Sequence, residues 1–118
     1  MKINSEVKKF LSKILKDLEN LKAVDIEVLN ISNRSALADY IIVANGTSSR
    51  HINSIVNNIV KANKKKILST EGLKSTDWLI VDFGDIILNV FKPETRKHYS
   101  IEKIWKDNDL EDGKVGFG

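Results

Sequence analysis

The sequence predicts an α/β (α+β) domain, a mixed five-stranded sheet with helices packed on it. Three observations carry that expectation. Apolar residues recur at spacings of three and four in two stretches, Val7 to Leu21 and Ile52 to Val60. Short β-branched runs of strand length lie between and after them, at Asp25–Ile31, Asp39–Asn45, Trp78–Asp82 and Asp85–Phe91. The resulting order, α-β-β-α-β-β-β-α, interleaves helices with strands. At 118 residues, with 42% hydrophobic and 30% charged residues, the chain suits one globular domain with one core. That domain is expected over 1–106, followed by an acidic, disordered tail over 107–118.

The first helix is expected over residues 5–22, capped by Asn4 or Ser5. Val7, Phe10, Leu11, Ile14, Leu15, Leu18 and Leu21 form its stripe, with lysines mostly on the other face. Asn33-Arg34-Ser35 reads as a turn after the first strand. Tyr40-Ile41-Ile42-Val43-Ala44 is continuously apolar, as a central strand covered on both faces would be. Gly46-Thr47-Ser48-Ser49 then gives a glycine turn and a hydroxyl cap for the second helix. That helix ends in Lys61, Lys64, Lys65 and Lys66, which suit its negative C-terminal dipole.

Ile67-Leu68 starts a short strand and Glu71-Gly72 reads as a turn. Phe83-Gly84 is too short a link for anything but an antiparallel hairpin between the last two strands. Pro93 suits the first turn of a helix, with Glu94 favourably placed after it. Ser100 would cap a further short turn carrying Ile101, Ile104 and Trp105. The helix between the second and third strands permits a parallel crossover there.

Composition excludes several functions. The sequence has 0 Cys, hence no disulfide, thiol nucleophile or Cys-based metal site. Its 2 His, His51 and His98, are far apart and argue against a histidine metal cluster. The net charge of +3 is mildly basic, so the distribution of charge matters more than its total. No apolar run reaches the ~20 residues that span a bilayer, and no signal peptide is visible, so a cytoplasmic protein without a membrane partner is expected.

Three constellations could carry chemistry. Gly46-Thr47-Ser48-Ser49-Arg50 opens a helix and could bind an anion, but no Walker Gly-Lys-Ser/Thr follows, and capping explains each residue. Asp82-Phe83-Gly84-Asp85 contains the letters DFG without a kinase's other motifs. Its carboxylates bracket a turn and could hold a metal, yet no further ligand set is identifiable. The Lys61–Lys66 cluster could contact phosphate, but no aromatics are interleaved with it, and a solvated helix end is the simpler account. Trp78 and Trp105, each beside charged residues, are equally suited to core and interface.

Taken together, the motifs resemble a known family. They are Ala23-Val24-Asp25-Ile26, Ala38-Asp39-Tyr40, Gly46-Thr47-Ser48-Ser49-Arg50-His51, Glu71-Gly72, Asp77-Trp78, Val81-Asp82-Phe83-Gly84-Asp85, Arg96-Lys97-His98-Tyr99 and Ile101-Glu102-Lys103-Ile104-Trp105. In this order and spacing they are similar to the ribosomal silencing factor family (RsfS, also called Iojap), over about residues 5–106. The resemblance implies a cytoplasmic, non-enzymatic protein with no cofactor and no specific DNA partner. It would bind the large ribosomal subunit through the large-subunit protein numbered fourteen, on the intersubunit face. There it would block small-subunit joining by volume and repress translation. Homodimers are implied for the free protein, competing with the ribosomal contact.

The resemblance also implies a nucleotidyltransferase-like fold without the activity. The glycine–serine turn that such enzymes use survives at Gly46–Ser48. No Asp-x-Asp or Asp-x-Glu pair lies on the following strands, and Asp82 and Asp85 stand across a turn. Asn89 occupies a position where many relatives carry His, which argues against proton transfer there. The expected partner-binding residues are Trp78, Leu79, Asp82, Asp85, Arg96 and Tyr99, with acidic groups complementing a basic ribosomal protein. A nucleotide-binding or nucleotidyltransferase-like enzyme is the alternative, and a small RNA-binding module a third reading.

Overall fold

The computed structural model describes residues 2–72 and 77–99, with side chains described over 5–72 and 77–97. The expected turn at Ser100–Trp105 and the expected tail lie outside the described residues. The elements are α1 (Lys2–Asn20), β1 (Val24–Asn30), β2 (Tyr40–Asn45), α2 (Ser49–Ala62), a 3-10 turn (Lys64–Lys66), β3 (Ser69–Gly72), β4 (Trp78–Asp82), β5 (Ile86–Phe91) and α3 (Pro93–Tyr99). They form one five-stranded mixed sheet in the order β1-β2-β5-β4-β3.

β2 is an interior strand, paired on both sides, as its unbroken apolar run predicts. It pairs antiparallel with β1 and parallel with β5. The parallel neighbour of β2 is therefore β5, not the next strand in sequence. β3 lies at the far edge, antiparallel to β4, which is in turn antiparallel to β5. Ile42, Val43 and Ala44 are fully buried. Alternate residues of β2 feed two clusters. Ile42 and Ala44 pack with Ile14 and Leu18 of α1 and with Ile52, Ile55 and Ile59 of α2. Ile41 and Val43 pack on the other face with Leu29, Ile31, Ala38 and Phe91.

Three sequence expectations need correction. α1 begins at Lys2, before either expected cap, and ends at Asn20 rather than residue 22. Its end is closed by the Ala23 amide donating to the Leu18 carbonyl at 2.9 Å, with Lys22 in the left-handed region at φ 66°. Without a glycine there, the sequence carries no stop signal. Glu71-Gly72 is not a turn but the end of β3, opposite Ile80 and Leu79. Every residue of β3 is exposed, so hydrophobic patterning could not mark this polar edge strand. Leu68 precedes the strand, although its amide already donates to the Asp82 carbonyl at 2.8 Å.

Candidate functional site

The β4–β5 hairpin carries most of the expected contact residues. Its link turns on Gly84, at φ 95°, a conformation that suits only glycine well. The Asp82 carboxylate accepts the Gly84 amide at 2.8 Å, and the Phe83 amide donates to the Ile86 carbonyl at 2.9 Å. Asp82 is thus a half-buried turn former. Asp85 is exposed and lines a shallow cleft with Glu6, Val7, Phe10, Lys66 and Phe83. Its carbonyl accepts the amides of Asp39 and Tyr40, which ties the turn to the start of β2.

Trp78 stands at the opposite end of β4. The indole is half-buried and stacks on the fully buried Phe91, with ring centroids 4.7 Å apart and planes at 30°. Its Nε1 donates to Asn89 Oδ1 at 3.0 Å. Phe91 lies opposite Trp78 in the ladder, and Asn89 is two residues back on the same face of β5. Beside it, Lys92 Nζ meets the Asp77 carboxylate at 3.3 Å, and the Lys92 amide donates to the Asp77 carbonyl at 3.0 Å. Leu79 points to the other face and packs against the helix-side cluster. Trp78 and Leu79 therefore face opposite ways, as strand alternation requires.

Arg96, expected among the contacts, is tied into the fold. It is buried, with only 8% of its surface exposed. Its Nη1 donates to the Asp25 carbonyl at 2.6 Å and to Asn45 Oδ1 at 3.0 Å. The reason lies in β1, where the ladder to β2 shifts register between Val24 and Glu27. Asp25 sits in that bulge at φ 49°. A bulged residue drops out of strand pairing, and Arg96 provides the partner its carbonyl needs. The guanidinium thus fixes α3 to the ends of β1 and β2. Tyr99 falls on the last position of α3.

The expected six residues do not form one patch. Trp78, Leu79 and Arg96 belong to one end of the sheet, Asp82 and Asp85 to the other. The two ends of β4 are about 13 Å apart at ~3.3 Å per residue. Trp78 and Asp82 do share a sheet face, that of the Phe91 cluster, as the alternation along β4 requires.

The α2 entrance is the other candidate. Ser48 caps the helix, its Oγ accepting the His51 amide at 3.1 Å. His51 Nδ1 accepts the Thr47 amide at 2.9 Å, so Nε2 carries the proton donated to the Leu21 carbonyl, also at 2.9 Å. Those amides are spent inside the protein, and the histidine ties α2 to the end of α1. No sequence signal pointed to the link with Leu21, which is 30 residues away. Gly46 is required for close approach: a Cβ there would lie 2.6 Å from Ile52 Cγ1 and 3.1 Å from its amide nitrogen. Among the described residues, no group of three or more His, Cys, Asp or Glu is placed to hold a metal, and no helix is long and apolar enough to cross a membrane.

The family model for RsfS, "ribosomal silencing factor during starvation", matches residues 4–115. The chain belongs to the RsfS family. It is 34% identical to the ribosomal silencing factor RsfS of Zymomonas mobilis over 109 residues, covering 89% of this chain and 82% of that one. It is also 34% identical to the mouse "mitochondrial assembly of ribosomal large subunit protein 1", across 80% of this chain but only 44% of the longer relative. A crystal structure from Chromobacterium violaceum superimposes with a TM-score of 0.78 at 31% identity, covering 84% of this chain and 85% of that one. The RsfS family is named for silencing ribosomes, not for a catalysed reaction.

Proposed function

We propose that this RsfS-family chain binds the large ribosomal subunit through the protein numbered fourteen on the intersubunit face. Bound there, it excludes the small subunit by volume and represses translation in the cytoplasm. The observation that carries this reading is the family match across residues 4–115, nearly the whole chain. No step of chemistry and no cofactor is involved. Asp82, one of the two carboxylates nearest a metal-binding arrangement, is engaged in forming the β4–β5 turn. Free protein forms homodimers that compete with the ribosomal contact.

The hairpin supports a role in contact. Trp78 offers a half-exposed aromatic held rigid by Phe91 and Asn89, the pre-organisation that interface anchors use. Asp85 gives the far end an exposed negative charge for a basic protein partner. Trp78, Asp82 and Asp85 are the proposed contacts, with Leu79 supporting the strand from the helix side. Tyr99 stays in the set as the residue at the end of α3.

Co-sedimentation with separated subunits tests the reading. The chain is expected to pellet with large subunits and not small ones, and to prevent their rejoining when magnesium is restored. Equal binding to both subunits, or to neither, refutes it. The enzyme alternative makes a separate prediction, metal-dependent thermal stabilisation by a nucleotide.

A further inference from the structure

Between Asp39 and Glu71 the sequence contains no Asp or Glu, although the chain has 16 acidic residues. That span holds Arg50, Lys61, Lys64, Lys65 and Lys66. The fold turns this stretch into a surface. Ile52, Ile55, Val56 and Ile59 of α2 are buried against the sheet. Facing outward are Arg50, Asn53, Asn57 and Lys61, and the three lysines of the 3-10 turn continue the exposed surface. At ~1.5 Å per residue, α2 extends this surface over about 20 Å.

Compensation of the helix dipole accounts for Lys61 in the last turn. It does not account for Arg50, which stands in the first turn, where positive charge is disfavoured and where α2 has no acidic residue. Lys13 and Lys92 pair with Asp17 and Asp77, but among the described residues Arg50, Lys61, Lys64 and Lys65 form no ion pair. Lys66 is set apart, its ammonium 4.9 Å from the centre of the Phe10 ring, in the cleft that Glu6 and Asp85 line.

We infer that the outer face of α2 and the following lysine turn form a second contact surface, for the phosphate backbone of double-helical RNA. The chemistry selects that partner. Cations along an otherwise uncharged polar helix match a line of phosphates, and α2 itself carries no acidic residue to oppose a polyanion. No aromatic side chain other than the engaged His51 lies on this helix to stack on single-stranded bases. The apolar side of α2 is already buried, so none is left to insert into a membrane. Backbone and shape contacts are how duplex RNA is usually bound. The inference rests on the proposed function only in naming large-subunit RNA as the duplex concerned.

The test uses a labelled RNA duplex of about 20 base pairs, with binding followed by anisotropy from ~50 to ~200 mM salt. The proteins are wild type, Arg50→Gln, and the triple variant Lys61→Gln/Lys64→Gln/Lys65→Gln. All these positions are exposed, so melting temperatures are expected to match. Each neutralised phosphate adds roughly −0.9 to the slope of log affinity against log salt in a B-form DNA duplex. On that scale the triple variant should lose about 2–3 of slope and Arg50→Gln about 1. An unchanged slope, no duplex binding by wild type, or tighter binding to anionic phosphatidylglycerol vesicles than to duplex overturns the inference. The same proteins are then titrated on large subunits, where the triple variant should keep binding with a shallower slope, and an unchanged slope again overturns the inference. Wild type that binds duplex with the expected slope changes but ignores large subunits supports this surface and refutes the proposed function.

Discussion

Replacing Arg96 with Met separates a structural arginine from a contact arginine. Met keeps much of the aliphatic stem and removes the guanidinium. Two charge-assisted hydrogen bonds vanish, to the Asp25 carbonyl and to Asn45 Oδ1. Bonds to a charged group are worth about 1.5–3 kcal/mol each. Asp25 is exposed, so water can take over its carbonyl and recover part of that loss. Asn45 is 5% exposed, and its carbonyl oxygen has little access to solvent. The expected loss is about 2–4 kcal/mol, a large share of the ~5–15 kcal/mol that holds a typical domain together. It should appear in urea or thermal denaturation as a melting point lower by roughly 10 °C. Large-subunit affinity is then measured well below both transitions, where both proteins are folded, and should change little. An Arg96→Met protein that melts with wild type but binds large subunits tenfold more weakly would refute this reasoning and return Arg96 to the contact surface. Arg96→Lys should fall between, because a point charge can reach one carbonyl but not span both.

Four further outcomes are expected. Trp78→Ala should destabilise by about 2–4 kcal/mol, combining a lost aromatic stack with an orphaned Asn89 oxygen, and should also weaken large-subunit binding measured on folded protein. Leu79→Ala should lower the melting point without that binding loss, since Leu79 packs on the helix side. Gly46→Ala should cost about 1–3 kcal/mol in denaturation, because its methyl would displace Ile52, which is fully buried. Lys22→Gly should raise stability by about 0.5–1 kcal/mol, as glycine adopts the left-handed cap without the penalty a side chain carries.

The regular elements were readable because each had its own local signal. Ser48 precedes a three–four stripe, and it caps α2. Tyr40–Ala44 lacks polar interruption, and β2 is an interior strand. Trp78 and Leu79 alternate, and they face different clusters. What escaped depends on distant partners or unusual backbone. The pairing of β2 with β5 joins strands far apart in sequence through parallel hydrogen bonds that leave no pattern in either. The role of Arg96 follows from a bulge at Asp25, a residue whose positive φ nothing in its neighbours announces. β3 is short, polar and exposed, so its letters resemble a turn. Whether the expected contact residues share a surface was not legible, because β4 carries Trp78 to one end of the sheet and Asp82 to the other.

That separation constrains how such a domain can hold a large partner. One face of the sheet is closed by α1 and α2, and residues buried there can act only through the fold. Contacts can come from the opposite sheet face with its strand ends, the β4–β5 turn, and the outer side of the helix layer. The first two carry the rigid indole of Trp78 and the exposed carboxylate of Asp85. The third carries the exposed cations of α2 and its lysine turn. A small body that touches protein through an acidic hairpin and RNA through a basic helix would be fixed by two kinds of interaction. The protein contact sets where it sits, while the phosphate contact adds affinity that falls steeply with salt. Steric exclusion needs no more than a stable position, and two separated contacts hinder rotation about either one far better than a single patch does.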